Sequence, residues 1–364
     1  MTQLPEIMYR GSVKDIRGDN KTDHLIFEFS DRYSVFDWGG MPDRLDGKGE
    51  ALAALAYMFF DLLEKRGIKT HLKAGQDVFA EKTNLLTVEK MAVLKPEAQQ
   101  KDGKLVYDYS AYKNRPERAP THTLVPLEVI FRFGVPEGSS LLKRASDAEY
   151  CKTIGLATPP KAGDMFDSPV IEFSTKLENY DRMLPYETAR DISGMTEAEF
   201  KLLHKNAAHI AGILKDIFAA IDVTLWDGKL EFAFDATDEN GMRGFILIDS
   251  IGPDELRLTC EGVQLSKESL RKFYRGTSWE KAVARAKELA EERGAEDWKS
   301  ICVEELKETP PPLDPVLRDA VAMLYKSMAQ QTAQKFYRKN CFENAWPLKD
   351  VARTIADWGK KHAA

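Results

Sequence analysis

Two acidic side chains, Glu231 and Asp249, sit on the two arms of one short hairpin, KLEFAFD, ATDENGMR and GFILIDS. Strand alternation puts Lys229, Glu231 and Ala233 on one face of the first arm and Leu230, Phe232 and Phe234 on the other. If the turn is Glu239–Asn240–Gly241, with Gly241 in the left-handed position, Glu231 lies opposite Asp249. Directly opposed residues hold their Cβ atoms about 4.5–5.5 Å apart. Two carboxylates that close repel unless a proton or cation lies between them. Magnesium prefers one or two carboxylates together with substrate phosphates, so this register builds half of a magnesium–ATP site. A two-residue Asn240–Gly241 turn instead places Asp249 opposite Phe232 and separates the pair. In that case Glu231 pairs with a lysine and Asp249 only ends a buried strand.

Three further segments carry suitable groups. Lys14 follows Gly11 on the first strand, where it either covers phosphates or is a solvated strand lysine. Arg132 to Arg144 (RFGVPEGSSLLKR) combines glycines, serines and cations, the groups that clamp a sugar phosphate, although an ordinary polar loop has the same composition. Ser174 to Asp181 (STKLENYD) sets a lysine among hydroxyls and carboxylates, as in a loop that closes over substrate or a solvated charged loop. Nucleophilic catalysis has little support: there is no G-x-S-x-G and no cysteine within a histidine motif. The six histidines form no H-x-x-x-H pair, and His204 and His209 flank a helix face as structural residues.

These groups need elements to hold them. Tyr9 to Ile16, His24 to Ser30, Leu85 to Leu94 and Val125 to Phe133 read as strands. Glu50 to Arg66 repeats Leu52, Leu55, Ala56, Phe59, Leu62 and Leu63 at helical spacing and stops at Gly67. A second helix opens at Met195, where Thr196 and Glu199 form a capping box, and runs to about Phe218. Residues 95–122 are polar, with three prolines and little periodicity, and read as an insertion or partly ordered excursion. Residues 279–307 and 315–364 are mostly helical and charged.

The 364 residues suffice for two modest domains, and 43% hydrophobic content supplies a core. A net charge of −6 argues against general nucleic-acid binding, which needs a basic surface. Cys151, Cys260, Cys302 and Cys341 form no C-x-x-C pair and read as buried thiols in a reducing compartment. No signal peptide or membrane span is evident, so a cytoplasmic protein is expected.

Taken in order, G-x-x-K-D-I, SDRYSVFD, GKG before a helix, VPLEVIFR with GSSLLKR, STK, WDGKLEF and IDxxxPDxxR resemble SAICAR synthetase from about Tyr9 to Tyr274. The resemblance implies a two-domain α+β fold with an antiparallel N-terminal sheet, a second α+β domain and ATP in the cleft between them. It implies residues 1–94 as the ATP-binding lobe and 123–275 as the substrate- and metal-binding domain. Residues 95–122 are then an insertion, and 276–364 a helical extension that either covers the second domain or joins copies in a homo-oligomer. The implied reaction uses ATP to phosphorylate the carboxylate of carboxyaminoimidazole ribonucleotide. The amine of L-aspartate then attacks, giving an amide, ADP and phosphate. Both substrates are small molecules, and no nucleic-acid or membrane partner is expected.

Carried over by motif, Lys14 with Gly11 and Ser12 would contact ATP, as would Lys90 and Glu231. Glu231 and Asp249 would hold Mg2+. Lys229, Lys176 and Asp181 would serve the chemistry, the last two from a mobile loop. Asp227 would contact the ribose, and Arg132, Ser139 or Ser140, and Arg257 would clamp the 5′-phosphate. The sequence departs from the family pattern at Ser12, Ser250, Leu256, Thr259 and Arg182–Met183, which touch substrate contacts more than the metal pair. Two alternatives follow: a related ATP-dependent carboxylate–amine ligase with altered substrates, or a non-catalytic nucleotide-binding paralogue. The retained Lys14, Lys229, Glu231 and Asp249 argue against the second.

Overall fold

The computed structural model describes residues 4–101, 104–113, 119–265, 267–295 and 297–362. The chain begins with β1 (Ile7–Arg10), β2 (Lys14–Arg17), β3 (His24–Phe29), α1 (Lys48–Glu64) and β4 (Leu85–Glu89). There follow β5 (Glu97–Lys101), β6 (Lys104–Asp108), α2 (Ser110–Lys113), β7 (Thr123–Gly134), α3 (Leu141–Arg144), α4 (Ala148–Thr153), β8 (Met165–Thr175), β9 (Met183–Leu184) and α5 (Tyr186–Ile192). Then come α6 (Glu197–Ala219), β10 (Thr224–Thr237), β11 (Arg243–Ile248), β12 (Leu256–Cys260) and β13 (Val263–Gln264). Helices α7 (Lys267–Tyr274), α8 (Ser278–Arg293), α9 (Trp298–Ser300), α10 (Pro315–Tyr337) and α11 (Leu348–Lys361) complete the chain, with a π-helical turn at Ile301–Glu305. The fold is mixed α+β with antiparallel sheets.

Packing divides the chain into two units. The first comprises Met1–Met58, Lys73–Val88 and Thr259–Ala364; the second comprises Phe59–Leu72 and Glu89–Leu258. The C-terminal helices therefore belong to the first unit, and neither unit is one continuous stretch of chain.

In the first unit, β1 to β4 form a sheet in chain order. The expected single strand from Tyr9 to Ile16 is instead two strands. Gly11 N donates to Lys14 O at 3.0 Å, and a Cβ on Gly11 would lie 2.5 Å from that oxygen, so the glycine folds the chain back. The start of α1 is held from a distance: Asp31 accepts from Gly47 N and Gly49 N at 3.3 and 2.9 Å. The SDRYSVFD and DGKG segments are thus one structural device, an acidic side chain satisfying orphan donors at a helix start.

The second unit is built on the twelve-residue β7, which is buried along almost its whole length. The sheet runs β12-β10-β7-β8-β9, with β11 also on β10. Helix α6 packs on β7, β8 and β10. Its capping box forms as the sequence predicts: Glu199 N donates to Thr196 Oγ1 at 3.2 Å, and Thr196 N donates to Glu199 Oε2 at 2.8 Å. Leu203, Ala207, Ile210 and Leu214 bury its apolar face. The 95–122 segment is more regular than its composition suggested. β5 and β6 pair antiparallel, and Tyr109 and Tyr112, which follow them in the chain, are buried. Residues 102–103 and 114–118 of that segment lie outside the described residues.

Candidate active site

The register of three strands in the second unit decides which side chains share a face. β10 pairs with β7 through Asp227–Arg132, Lys229–Ile130 and Glu231–Glu128. β7 pairs with β8 through Arg132–Val170, Ile130–Glu172 and Glu128–Ser174. Alternation therefore collects Asp227, Lys229, Glu231, Glu128, Arg132 and Glu172 on one face. The opposite face carries Leu230, Phe232, Val129, Phe131 and Phe173, and Phe173 meets Phe200 of α6 at 4.9 Å between ring centroids. The sheet is apolar where the helix covers it and polar where chemistry would occur.

Two charge clusters lie on the polar face. In the first, Glu231 Oε1 accepts from Lys176 Nζ at 2.6 Å and from Lys229 Nζ at 3.2 Å. Glu128 Oε1 accepts from Lys229 Nζ at 2.6 Å and lies 3.5 Å from Lys176 Nζ. The carboxylates are buried, whereas the Lys176 and Lys229 side chains stay 27% and 34% exposed, so the cluster opens toward solvent on its cationic side. Burial opposes the charge on both lysines, but Glu231 foremost, with Asp249 and Glu128, outweighs it and raises both pKa values. Burial pushes the Glu231 carboxyl upward, and the Asp249 charge adds to that push, while Lys229 and Lys176 pull it back. Three carboxylates around two ammonium groups leave the pocket short of positive charge. That donor set fits a divalent cation that takes one or two protein oxygens and completes its shell with substrate phosphates and water. Among the described residues, no group of three or more His, Cys, Asp or Glu side chains is arranged to hold a metal by itself.

In the second cluster, Arg132 bonds Glu172 and, through Nη1, Asp227 Oδ2 at 2.9 Å. Arg144 Nη2 donates to Glu172 Oε1 at 2.7 Å, and the Tyr150 hydroxyl donates to the same carboxylate. Burial works against Glu172 ionising, but Arg132, Tyr150 and Arg144 together draw its pKa down. Burial raises Asp227, opposed by Arg257 and Arg132. Arg257 Nη1 is buried, lies 3.5 Å from Asp227 Oδ2 and makes no hydrogen bond among the described residues. Three guanidinium groups against two carboxylates leave an excess positive charge and an unused buried donor. Such a site suits an anion.

The expected direct opposition of Glu231 and Asp249 does not occur. The turn is as read: Asp238 N donates to Met242 O at 2.9 Å, Gly241 has φ +75°, and Thr237 pairs with Arg243. The register then slips by one residue between Thr237 and Phe234, and Glu231 pairs with Ile248. Asp235 lies at the slip; its carboxylate accepts from its own neighbour Ala236 N at 2.8 Å and from Lys69 Nζ at 2.7 Å. Asp249 stands beyond the end of β11 at φ +68°, which takes it off the ladder, and His71 Nε2 donates to its carbonyl at 3.0 Å. Its charge still acts on Glu231, so the acidic neighbourhood survives through a different geometry. The carboxylate directly across from Glu231 is Glu128.

The other expected residues are distributed as follows. Ser139 is buried with Oγ accepting from Leu141 N at 3.4 Å, whereas Ser140 faces solvent before α3. Asp181 is exposed on the loop between β8 and β9. Lys90 is half-buried just past β4. In the first unit, Lys14 Nζ lies 4.4 Å from the Phe27 ring centroid, beside the turn of Gly11 and Ser12, whose carbonyls accept from Arg32. Sequence reading missed Glu128, Glu172 and Tyr150 as members of the clusters. The signal for the two glutamates was available: each is a lone carboxylate inside an apolar run, LEVIF and VIEFS, and a strand buried on both sides tolerates one only with partners.

The family model of SAICAR synthetase matches residues 7–286. The chain belongs to the SAICAR synthetase family. A protein of Archaeoglobus fulgidus to which phosphoribosylaminoimidazole-succinocarboxamide synthase activity is ascribed is 36% identical over 361 residues, covering 95% of this chain and 99% of its own length. The phosphoribosylaminoimidazole-succinocarboxamide synthase of Thermoplasma acidophilum is 30% identical over 340 residues, covering 91% of this chain and all of the relative. A solved SAICAR synthetase in complex with ADP is 28% identical with a TM-score of 0.52, covering 84% of this chain and 100% of its own.

Proposed function

We propose that this chain is the ATP-dependent ligase of purine biosynthesis that joins L-aspartate to carboxyaminoimidazole ribonucleotide. The observation that carries the reading is one sheet face bearing two unlike clusters, a lysine–carboxylate pocket and an arginine site with an unused donor. Along β10 the clusters stand two residues apart, a rise of about 7 Å. The ribonucleotide would set its phosphate against Arg132 and Arg257, its ribose against Asp227 and its carboxylate toward Lys229.

In the first step a carboxylate oxygen attacks the γ-phosphorus of ATP, the bond to ADP breaks, and an acyl phosphate forms. In the second, the amine nitrogen of aspartate attacks the acyl carbon, the C–O electron pair leaves with phosphate, and the proton shed by the nitrogen passes to that phosphate or to water. Lys176 and Lys229, with raised pKa values, stay protonated at neutral pH. They therefore work as fixed positive charge for the transferring phosphoryl group and the developing oxyanion, not as bases. Glu231, with Asp249 nearby, would hold Mg2+, which when bound neutralises phosphate charge. Gly11, Ser12 and Lys14, with Lys90, would meet the nucleotide. Asp181 would face the incoming amine. The described helices include none long and apolar enough to cross a membrane. Our reading places the reaction among cytoplasmic small-molecule steps.

A coupled ADP-release assay tests the reading. ADP should appear only when ATP, the carboxyaminoimidazole ribonucleotide and aspartate are all present. ADP release that ignores omission of either aspartate or the ribonucleotide would contradict it, and turnover with a different acid–amine pair would favour the altered-substrate ligase.

A further inference from the structure

The loop from Lys176 to Arg182 begins with a lysine of the first cluster, whose ammonium group is held by Glu231 of β10, and its tip carries Tyr180 and Asp181. Its neck is closed by backbone and hydroxyl contacts: Thr175 N donates to Arg182 O, and Arg182 N donates to Thr175 Oγ1, both at 3.0 Å. Leu177 packs on the apolar cluster of Leu124, Ala233, Ile246 and Ile248. The tip is then gripped from outside by the β5–β6 hairpin and the residue that follows it. Tyr107 Oη accepts from Asn179 N at 2.9 Å, and Tyr109 Oη donates to Glu178 Oε1 at 3.0 Å. Glu178 is nearly enclosed, its side chain 6% exposed, and Arg182 Nη2 donates to the same oxygen at 2.8 Å. Tyr180 and Asp181, between these anchors, project into solvent.

The hairpin is itself well anchored, as a brace must be. Tyr112 is fully buried and donates to Leu94 O at 2.9 Å. Lys113 Nζ lies 2.6 Å from Asp191 Oδ2. Gly194, at φ +60°, lets the backbone of Tyr112 approach so closely that a Cβ would lie 1.9 Å from Tyr112 O. The inserted segment thus ties α5 on one side and the Lys176 loop on the other.

We propose that Tyr107 and Tyr109 are positioning residues that hold the Lys176–Arg182 loop in its substrate-ready form before any substrate arrives, and that they thereby set affinity for the amine substrate. The proposal rests on the ligase reading for the identity of that substrate, but the loop contact itself does not. A free loop of this length must be ordered at the moment of binding, and that ordering weakens affinity; a braced loop has already been ordered. The effect should fall on the amine substrate, which the Tyr180–Asp181 tip would meet, and not on the nucleotide, because Lys176 at the base of the loop keeps its bond to Glu231 and the Thr175–Arg182 neck when the tip is released.

The test compares wild type with the Tyr107→Phe/Tyr109→Phe double variant, which keeps both rings and removes both hydroxyls. Tyr112→Phe serves as a control that removes a hydroxyl of the same insertion without touching the loop. Hydrogen exchange should show faster exchange at Asn179 in the double variant only. KM for aspartate should rise about tenfold, the order expected for losing a hydrogen bond to a charged group. KM for ATP should hold within about twofold, and kcat should fall little. Faster exchange with an unchanged aspartate KM overturns the positioning role while leaving the ligase reading intact. An equal KM rise in Tyr112→Phe also overturns it, because the effect would then be general loosening. Absence of turnover with aspartate in the wild type counts against the ligase reading, and the exchange comparison still decides whether the brace exists.

Discussion

Two of the buried ion clusters of the second unit differ in every respect that matters. Arg243 and Glu199 are both fully enclosed, with Nε to Oε1 at 2.9 Å. The remaining donors of Arg243 reach Pro120 O and Gly194 O, each at 3.1 Å, and its guanidinium lies 3.6 Å from the Phe234 ring centroid. Glu199 in turn closes the capping box of α6. Charge is matched one to one and each group is used. The Glu128–Glu231–Lys176–Lys229 cluster, with the charge of Asp249 also acting on it, has carboxylates in excess, its lysines about one-third exposed, and one oxygen of Glu231 shared by two ammonium groups. A matched, sealed pair holds a fold together; an unmatched, half-open one awaits a charged ligand.

Substitution should separate the two. Glu231→Ala should lower turnover by about 10³-fold or more, in line with removal of a key electrostatic group, with a melting temperature close to wild type. Near-normal activity in that variant would remove Glu231 from the chemistry. Glu199→Ala should do the reverse: it strands a buried guanidinium and should cost about 3–5 kcal/mol of stability in urea unfolding, with activity per folded molecule retained. Arg257→Ala, which deletes the unused buried donor, should raise KM for the ribonucleotide by about 10- to 100-fold, the range for a charge-assisted hydrogen bond, and leave KM for ATP unchanged.

The smallest expected effect concerns pH. Glu231 has a folded pKa above its ordinary value of 4.5, so the folded state binds the extra proton between those values. Its contribution to stability is then complete below 4.5 and is lost as pH rises through the folded pKa. Glu172 is depressed from the same ordinary value, so its contribution is present above 4.5 and is lost as pH falls through the lower folded value. Urea unfolding of Glu231→Gln and wild type at several pH values should show the variant gaining relative to wild type as pH rises. A variant that instead loses ground to wild type as pH rises would contradict a raised folded pKa and show that the lysines more than compensate the carboxylate.

The parts of this site that the sequence made legible were those governed by local rules. Alternation in WDGKLEF assigned Asp227, Lys229 and Glu231 to one face, the Thr196–Glu199 spacing gave the start of α6, and Gly241 gave the turn. What was missed depends on partners distant in sequence. The slip at Asp235 involves Lys69, far back in the chain, and changes the partner of Glu231 from Asp249 to Ile248. Glu128 meets Glu231 only once β7 and β10 pair. The order in residues 97–101 and 104–113 likewise comes from contacts that the segment's polar composition hides, such as the burial of Tyr109 and Tyr112.

Isotope transfer tests the central claim most directly. With the ribonucleotide carboxylate labelled with ¹⁸O, the account predicts that the phosphate released on amide formation carries one labelled oxygen per turnover, because the attacking carboxylate oxygen leaves bound to phosphorus. Unlabelled phosphate accompanying full amide formation would contradict an acyl phosphate.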